Sequence, residues 1–350
     1  MESEVKQILS FSHMWKSWLK SKRKVSWKTS VINYSTRAIQ NIANDREQIL
    51  TNKWKSQGYK KFVVPDRGKP REVHAVELHE RVIQKCFCDY KFIPVLRKRL
   101  IYDSGATMKN KGLGFALRRL RCHLQRYGRK YGNQGYVLTF DFKKYFASID
   151  HNILIKMASR YITDDETLKW YSIFVNGYNE GLGLGSQTSQ ISALFFIHKF
   201  DRYIKENLHY KYYGRYMDDC YIIAQDKTEL QALREIMFSL ASNYKLTPSY
   251  KKCKIEKLTH FMYLSRHWSL KENNFVYNKP LYKNIAKLIR KPNKILRLGW
   301  LKGKFLDAIN KVKQLFASIK GYVLQFKNRR LYDTICNKIR TRFNTRLCYN

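Results

Sequence analysis

The clearest patterns along the chain are short runs of apolar and β-prone residues that end or begin on acids. Tyr136-Val137-Leu138-Thr139-Phe140 runs without a break into Asp141, which predicts a buried strand ending in a carboxylate. Tyr213-Gly214-Arg215-Tyr216-Met217 leads into Asp218-Asp219, and Cys220-Tyr221-Ile222-Ile223-Ala224 follows, so this stretch predicts a tight hairpin with two carboxylates at its turn. Residues 59–64 and 71–76 are strand-like, and Pro65-Asp66-Arg67-Gly68-Lys69-Pro70 between them has the chemistry of a hairpin loop. Helical spacing of apolar residues marks short amphipathic helices near 13–20, a largely helical stretch over 77–130, and a helix over 191–208. It also marks 227–244, with Leu230, Leu233, Ile236, Met237 and Leu240 on one face. Residues 246–255 read as a basic turn and short strand, and 261–268 as one further strand. The last segment is helical, with Lys283, Lys287, Arg290, Lys291 and Lys294 at helical spacing and Pro292 as an interruption.

Charge narrows the partners. The 350-residue chain carries 68 Lys and Arg against 27 Asp and Glu, a formal charge of +41, and is long enough for two or three packed subdomains. Self-repulsion of that size is relieved by a polyanion. No apolar run approaches the roughly 20 residues of a spanning helix, and Met1-Glu2-Ser3-Glu4 has no signal-peptide pattern, so nucleic acid is favoured over membrane. The 25 Tyr, 19 Phe and 7 Trp supply stacking surfaces as well as core. The 7 Cys have no zinc-site spacing and read as buried free thiols, which suits a reducing cytoplasm.

Candidate chemistry centres on the acids. Asp141 and the Asp218-Asp219 turn, if on neighbouring strands, form one acidic cluster able to hold two hard cations, the arrangement of two-metal phosphoryl and nucleotidyl transfer. The loop carrying Arg67, Lys69 and Arg71 reads either as basic surface or as a clamp for a triphosphate. Lys109 and Lys111 in the loop of residues 102–112 adjoin a helix bearing Arg118, Arg119, Arg121 and Arg126, a combination suited to a template backbone. The Gly-rich stretch 181–190 lets backbone approach a base or sugar closely and lacks the lysine of a P-loop. The tryptophan- and lysine-rich residues 1–58 present charged helix faces, either simply solvated or in contact with RNA or a partner.

Taken together, these motifs resemble a family. Tyr216-Met217-Asp218-Asp219 resembles the catalytic box of reverse transcriptases, and Phe140-Asp141 through Phe146 their first catalytic strand. The hairpin with Arg71, followed by His79-Glu80-Arg81-Val82-Ile83-Gln84, is similar to the fingers segment of bacterial members of the retron and group II intron superfamily. The resemblance covers about residues 55–270. It implies an α+β right-hand polymerase: a basic helical extension (1–58), fingers (59–135), a palm with an antiparallel sheet (136–275) including the Gly-rich loop 181–190, and a helical thumb (276–350).

The resemblance also implies roles. Asp141, Asp218 and Asp219, with Phe142 beside them, would hold two Mg²⁺ ions, Mn²⁺ being a substitute, and Lys252 would lie near the leaving group. Lys69, Arg71 and Arg81 would meet the triphosphate, and Gln187 and Gln190 the template–nucleotide pair. Phe146 matches the steric gate that excludes a 2′-hydroxyl, so dNTPs, an RNA template and a DNA product are the implied ligands. Ser189-Gln190 replaces the Ser-Pro of intron and retron enzymes and resembles diversity-generating retroelements, while defence-associated enzymes also depart from Ser-Pro. The implied protein is a stand-alone core without maturase, endonuclease or RNase H regions, working on a dedicated non-coding RNA, with an accessory protein or as a homo-oligomer. An RNA-dependent RNA polymerase and a non-catalytic RNA-binding scaffold are the alternatives.

Overall fold

The computed structural model describes residues 3–56, 58–66 and 69–280, and beyond these 285–286, 289–292, 294–295, 298, 305–324, 332–339 and 341. Its strands form a two-stranded sheet, a four-stranded sheet and a three-stranded sheet. The chain divides into two compact units, one of residues Met1–Arg119, Leu138–Ile222 and Thr228–Lys254, the other of Leu120–Val137, Ile223–Lys227 and Ile255–Asn350.

The first unit begins with α1 (Glu4–Ile8), α2 (Phe11–Ser21), α3 (Thr29–Thr36) and α4 (Ala38–Leu50). Their apolar stripes bury Val5, Ile8, Met14, Trp18, Ile42 and Ile49. The hairpin β1 (Tyr59–Asp66) and β2 (Lys69–Val76) follows in antiparallel register from Tyr59↔Val76 to Asp66↔Lys69. Next comes α5 (Leu78–Phe87), which continues through a wide turn at Cys88–Phe92 into α6 (Ile93–Leu96), and α7 (Leu113–Tyr131) follows later in the chain. α8 (His151–Ala158) and α9 (Asp165–Asn176) start on Asp150 and Asp164, whose carboxylates accept the backbone N–H of Ile153 and Thr167. Phe87, Phe92, Trp170 and Phe174 form an aromatic core at centroid separations of 5.5 to 6.4 Å.

The four-stranded sheet runs in the order β4 (Tyr213–Tyr216), β5 (Asp219–Ala224), β3 (Tyr136–Phe140) and β6 (Lys254–Lys257). Its middle strands bury Val137, Leu138, Phe140, Tyr221, Ile222 and Ile223, as their continuous apolar runs require. α12 (Lys227–Ser242) buries Leu230, Leu233, Met237 and Ala241, whereas Ile236, expected on that face, is 40 % exposed. The buried stripe follows the 3.6-residue period from 230 to 241, and Ile236 lies off it.

In the second unit, β7 (Phe261–Tyr263), β8 (Arg266–Leu270) and β9 (Val276–Pro280) form an antiparallel meander. The single strand expected over 261–268 is therefore a hairpin, turning on Leu264 and Ser265 at φ +47° and +60°. Helix Phe305–Leu324 contributes Ile319 and Val323 to a cluster with Ile335 and Ile339. Arg290, Lys291 and Lys294 are exposed and helical, and Pro292, expected to interrupt, is itself helical. Lys283 and Lys287 lie outside the described residues, as do Arg67 and the side chain of Lys69.

Candidate active site

Strand register sets the acidic turn. Tyr216 pairs with Asp219 across β4 and β5, so Met217 and Asp218 alone form the hairpin turn, and Asp219 is the first residue of β5. Met217 adopts φ +56°, a left-handed conformation that L-residues with a side chain rarely take. Asp141 follows the last residue of β3, the neighbour of β5 in the sheet, and is 3 % exposed.

A second segment is stapled onto that strand end. The Ser249 N–H donates to the Asp141 carbonyl at 2.7 Å, and the Lys143 N–H to the Thr247 carbonyl at 2.8 Å. The Thr139 hydroxyl donates to the Lys252 and Lys254 carbonyls at 3.2 and 3.3 Å. Within this turn the Lys252 N–H bonds the Ser249 carbonyl at 2.7 Å, which carries the Lys252 ammonium onto Asp141 Oδ2. Asp141 Oδ1, also buried, accepts no N–H or hydroxyl among the described residues, and only the Asp218 carboxyl lies within reach of Asp141.

The electrostatics follow from this crowding. Burial, and then the charge of Asp141, push the Asp218 carboxyl up to about 6, against the opposing pull of Lys252. Burial pulls the Lys252 ammonium down, but its hydrogen bond to Asp141 and the charges of Asp141, Asp219 and Asp218 outweigh it and leave the group raised. One lysine thus faces a buried carboxylate, Asp141, and two half-buried ones, Asp218 and Asp219.

Among the described residues no three His, Cys, Asp or Glu side chains are preassembled around a metal position. The donors present nevertheless suit Mg²⁺. It keeps several waters and takes one or two carboxylates plus substrate phosphates, rather than a complete protein cage. Asp141, with a buried oxygen that accepts no N–H or hydroxyl, and Asp218 beside it supply the carboxylates. The Phe142 ring packs on Phe140, Tyr145 and Phe200, so only its main chain can face an ion.

Phe146 is half-buried on the 3₁₀ turn Tyr145–Ser148, which Lys144 enters at φ +48°. The Gly-rich loop packs on this turn. The Leu182 N–H donates to the Phe146 carbonyl at 2.7 Å, and Gly181, at φ +57°, lies where a Cβ would stand 2.5 Å from the Ala147 Cα. At the loop's other end the His74 N–H of β2 donates to the Leu184 carbonyl at 2.9 Å. The helix expected to start at 191 begins at Gln187 and stops at Phe196, giving α10 (Gln187–Phe196), with α11 (His198–Arg202) after it. The cause is Ser186, whose hydroxyl caps the Ser189 N–H at 3.3 Å.

The remaining candidates are dispersed. The Gln187 amide is engaged at both ends, accepting from Lys85 at 2.9 Å and donating to Asp89 at 2.9 Å. Gln190 and Arg81 are half-buried, and Arg71 is exposed on β2 opposite Val64. Sequence reasoning missed Arg215 and Asp201, a fully buried ion pair behind the acidic turn. Arg215 carried a signal, a charge inside the aromatic run 212–216, whereas Asp201 lies among Lys199, Arg202 and Lys205 and carried none.

A carboxylate at the end of β3, with Asp218 at the turn of the antiparallel β4–β5 hairpin and Asp219 at the start of the neighbouring β5, is an arrangement suited to nucleotidyl transfer. The family model described as reverse transcriptase (RNA-dependent DNA polymerase) matches residues 77–269, and the chain belongs to that family. It therefore has the α+β right-hand polymerase fold, and its family uses divalent metal ions and RNA templates. No curated protein matches the chain in sequence. Among solved structures, it is similar to apo telomerase from Candida tropicalis truncated from its C-terminal domain, at 12 % identity and a TM-score of 0.48, over 69 % of this chain and 60 % of that one. It is also similar to telomerase from Candida albicans in complex with a fragment of telomeric RNA, at 11 % identity and a TM-score of 0.48, over 82 % of this chain and 63 % of that one. The chain spans 60 to 63 % of the length of these two proteins. No described helix is long and apolar enough to cross a membrane.

Proposed function

We propose that the chain is an RNA-directed DNA polymerase that adds dNTPs to a primer 3′-hydroxyl. The observation that carries this reading is Asp141, with a buried oxygen that accepts no N–H or hydroxyl, next to an Asp218 whose carboxyl is raised by burial and by Asp141 itself. In this reading Asp141, Asp218 and Asp219, with the Phe142 main chain, hold a pair of Mg²⁺ ions. The chemistry supplied by such a pair is acidification of the primer hydroxyl and neutralisation of the triphosphate and departing pyrophosphate. Lys252 neutralises Asp141 between turnovers and faces the leaving group when released. Phe146 bars the 2′-hydroxyl, Arg71, Lys69 and Arg81 take the triphosphate, and Gln187 and Gln190 line the template–nucleotide pair.

Residues 59–135, 136–275 and 276–350 act as fingers, palm and thumb. A charge of +41 supports a structured, dedicated RNA as template. Ser189-Gln190 supports a role in a diversity-generating retroelement or in antiphage defence, with an accessory protein or a second copy as partner. The test is primer extension on an RNA template with dNTPs and Mg²⁺. DNA product is expected from the natural chain and none from Asp218→Ala; equal product from both, or none from either, overturns the reading. Preference for rNTPs that survives Phe146→Ala would instead assign an RNA polymerase.

A further inference from the structure

Directly behind the acidic turn lies a charged group that the chemistry above does not use. The Arg215 and Asp201 side chains are both fully buried. Arg215 Nε donates to Asp201 Oδ1 and Oδ2 at 2.8 and 3.0 Å, and Nη2 to Oδ2 at 2.5 Å. The Tyr213 hydroxyl completes the carboxylate's shell at 2.5 Å. An ion pair placed only for packing would end there. Arg215 goes further: Nη1 donates to the Met217 carbonyl at 2.8 Å, and Nη2 to the Leu194 carbonyl at 3.0 Å.

Those two carbonyls belong to the elements that make the candidate site. Met217 is the first turn residue before Asp218, in the left-handed conformation at φ +56°. A non-glycine residue there is strained, and such a conformation persists only where its surroundings over-determine it. Leu194 lies on α10, the helix that starts at Gln187 after the Gly-rich loop. The main chain of Arg215 is held as well, its N–H donating to the Asp103 carbonyl at 3.1 Å and its carbonyl accepting the Gly105 N–H at 2.8 Å. Asp103 is itself buried between Arg119 and Lys205. The arginine is thus fixed at both its backbone and its head.

We infer that Arg215, oriented by Asp201, is a positioning residue that locks the Met217-Asp218 turn in its left-handed conformation and ties it to the helix carrying Gln187 and Gln190. The planar guanidinium is what makes this feasible: it grips the carboxylate on one edge while aiming two N–H groups at separate carbonyls. A lysine ammonium could neutralise Asp201 but has no such fork. Misplacing a reacting group by about 1 Å costs on the order of 100-fold in rate. The inference rests on the polymerase reading for its kinetic consequence, not for its structural one.

Two variants test it. Arg215→Lys keeps the charge opposite Asp201. Arg215→Met with Asp201→Leu replaces the buried pair by apolar side chains of similar volume, a change that is often neutral for stability. In a folded variant, kcat for primer extension is expected to fall on the order of 100-fold, with the dNTP KM and the template–primer Kd within about threefold of the natural chain. Amide hydrogen exchange at residues 217–219 should rise about tenfold or more, while the other strands of the sheet keep their protection. Unchanged kcat and unchanged local exchange in either folded variant overturn the inference. So does an equal loss of protection throughout the sheet, which would mean a purely structural pair. If the natural chain makes no DNA, the polymerase reading fails separately, and the exchange measurement still decides the lock.

Discussion

Gly181→Ala probes the packing between the Gly-rich loop and the Phe146 turn. A Cβ built on Gly181 meets the Ala147 Cα at 2.5 Å, the Phe146 carbonyl oxygen at 2.5 Å and the Ala147 carbonyl carbon at 2.6 Å. All three are main-chain atoms, so no rotamer change relieves the overlap, and the loop must lift by roughly 1 Å to restore ordinary contact. The backbone also stands at φ +57°, where alanine is less favourable than glycine by roughly 1 kcal/mol or more. Lifting the loop stretches the 2.7 Å bond from the Leu182 N–H to the Phe146 carbonyl, and such a bond is worth about 1 kcal/mol. The sum is a destabilisation of about 2–3 kcal/mol, or a Tm lower by roughly 3–5 °C for a chain of this length.

The functional consequence should be selective, because the displaced atoms hold Phe146 rather than the acids. Primer extension with matched dNTP and rNTP concentrations should show weaker sugar discrimination, while some DNA synthesis survives. Gly112→Ala is the control: nothing lies within 4 Å of its Cβ position, and its Tm should stay within about 1 °C. A Gly181→Ala protein with the natural Tm and the natural dNTP preference would refute the reasoning.

Three further outcomes are expected. Asp218→Asn should abolish primer extension yet leave the metal-free Tm unchanged or higher, since it removes one of two crowded carboxylates; a Tm drop of several degrees would count against that crowding. The Asp45 hydrogen bond at 2.8 Å raises the His79 imidazole, outweighing burial. A raised histidine contributes stability that is full below its unfolded pKa of about 6.5 and is lost as pH rises through the higher folded value. Tm measured across that range should therefore fall more steeply for the natural chain than for His79→Gln, and parallel curves would dismiss the coupling. Ser186→Ala removes the cap of α10 and its 2.8 Å bond to Gln84, so thermal melts should show a loss of about 1–2 kcal/mol; an unchanged melt would deny the cap.

What the sequence disclosed, and what it hid, divides along physical lines. The β3 run into Asp141 and the hairpin around Asp218 were legible because buried strands of this kind advertise themselves as unbroken apolar segments. The turn at Leu264 and Ser265 was not, because neither residue carries the Asn-Gly signature that a positive-φ pair ordinarily shows. The start of α10 at Gln187 was hidden by its glycines, although Ser186 offered a capping signal. Arg215 and Asp201 were beyond reach for a different reason: 14 residues separate them, and only the folded chain brings a helix carboxylate under a strand guanidinium.

That pair also clarifies why Asp141 stands out. Five acids are buried among the described residues: Asp45, Glu80, Asp103, Asp141 and Asp201. In four of them each carboxylate oxygen has a partner. Asp45 is held by Tyr34 and His79, Glu80 by Ser56 and Gln84, Asp103 by Arg119 and Lys205, and Asp201 by Arg215 and Tyr213. These are what a stable fold requires of buried charge. Asp141 keeps one buried oxygen that accepts no N–H or hydroxyl, and its other oxygen is held by a lysine that is 62 % exposed and free to swing away. Apart from the Asp218 carboxyl beside it, nothing among the described residues completes the shell of Asp141, unlike those of the other four acids. The incomplete shell is a reason to place the chemistry at Asp141.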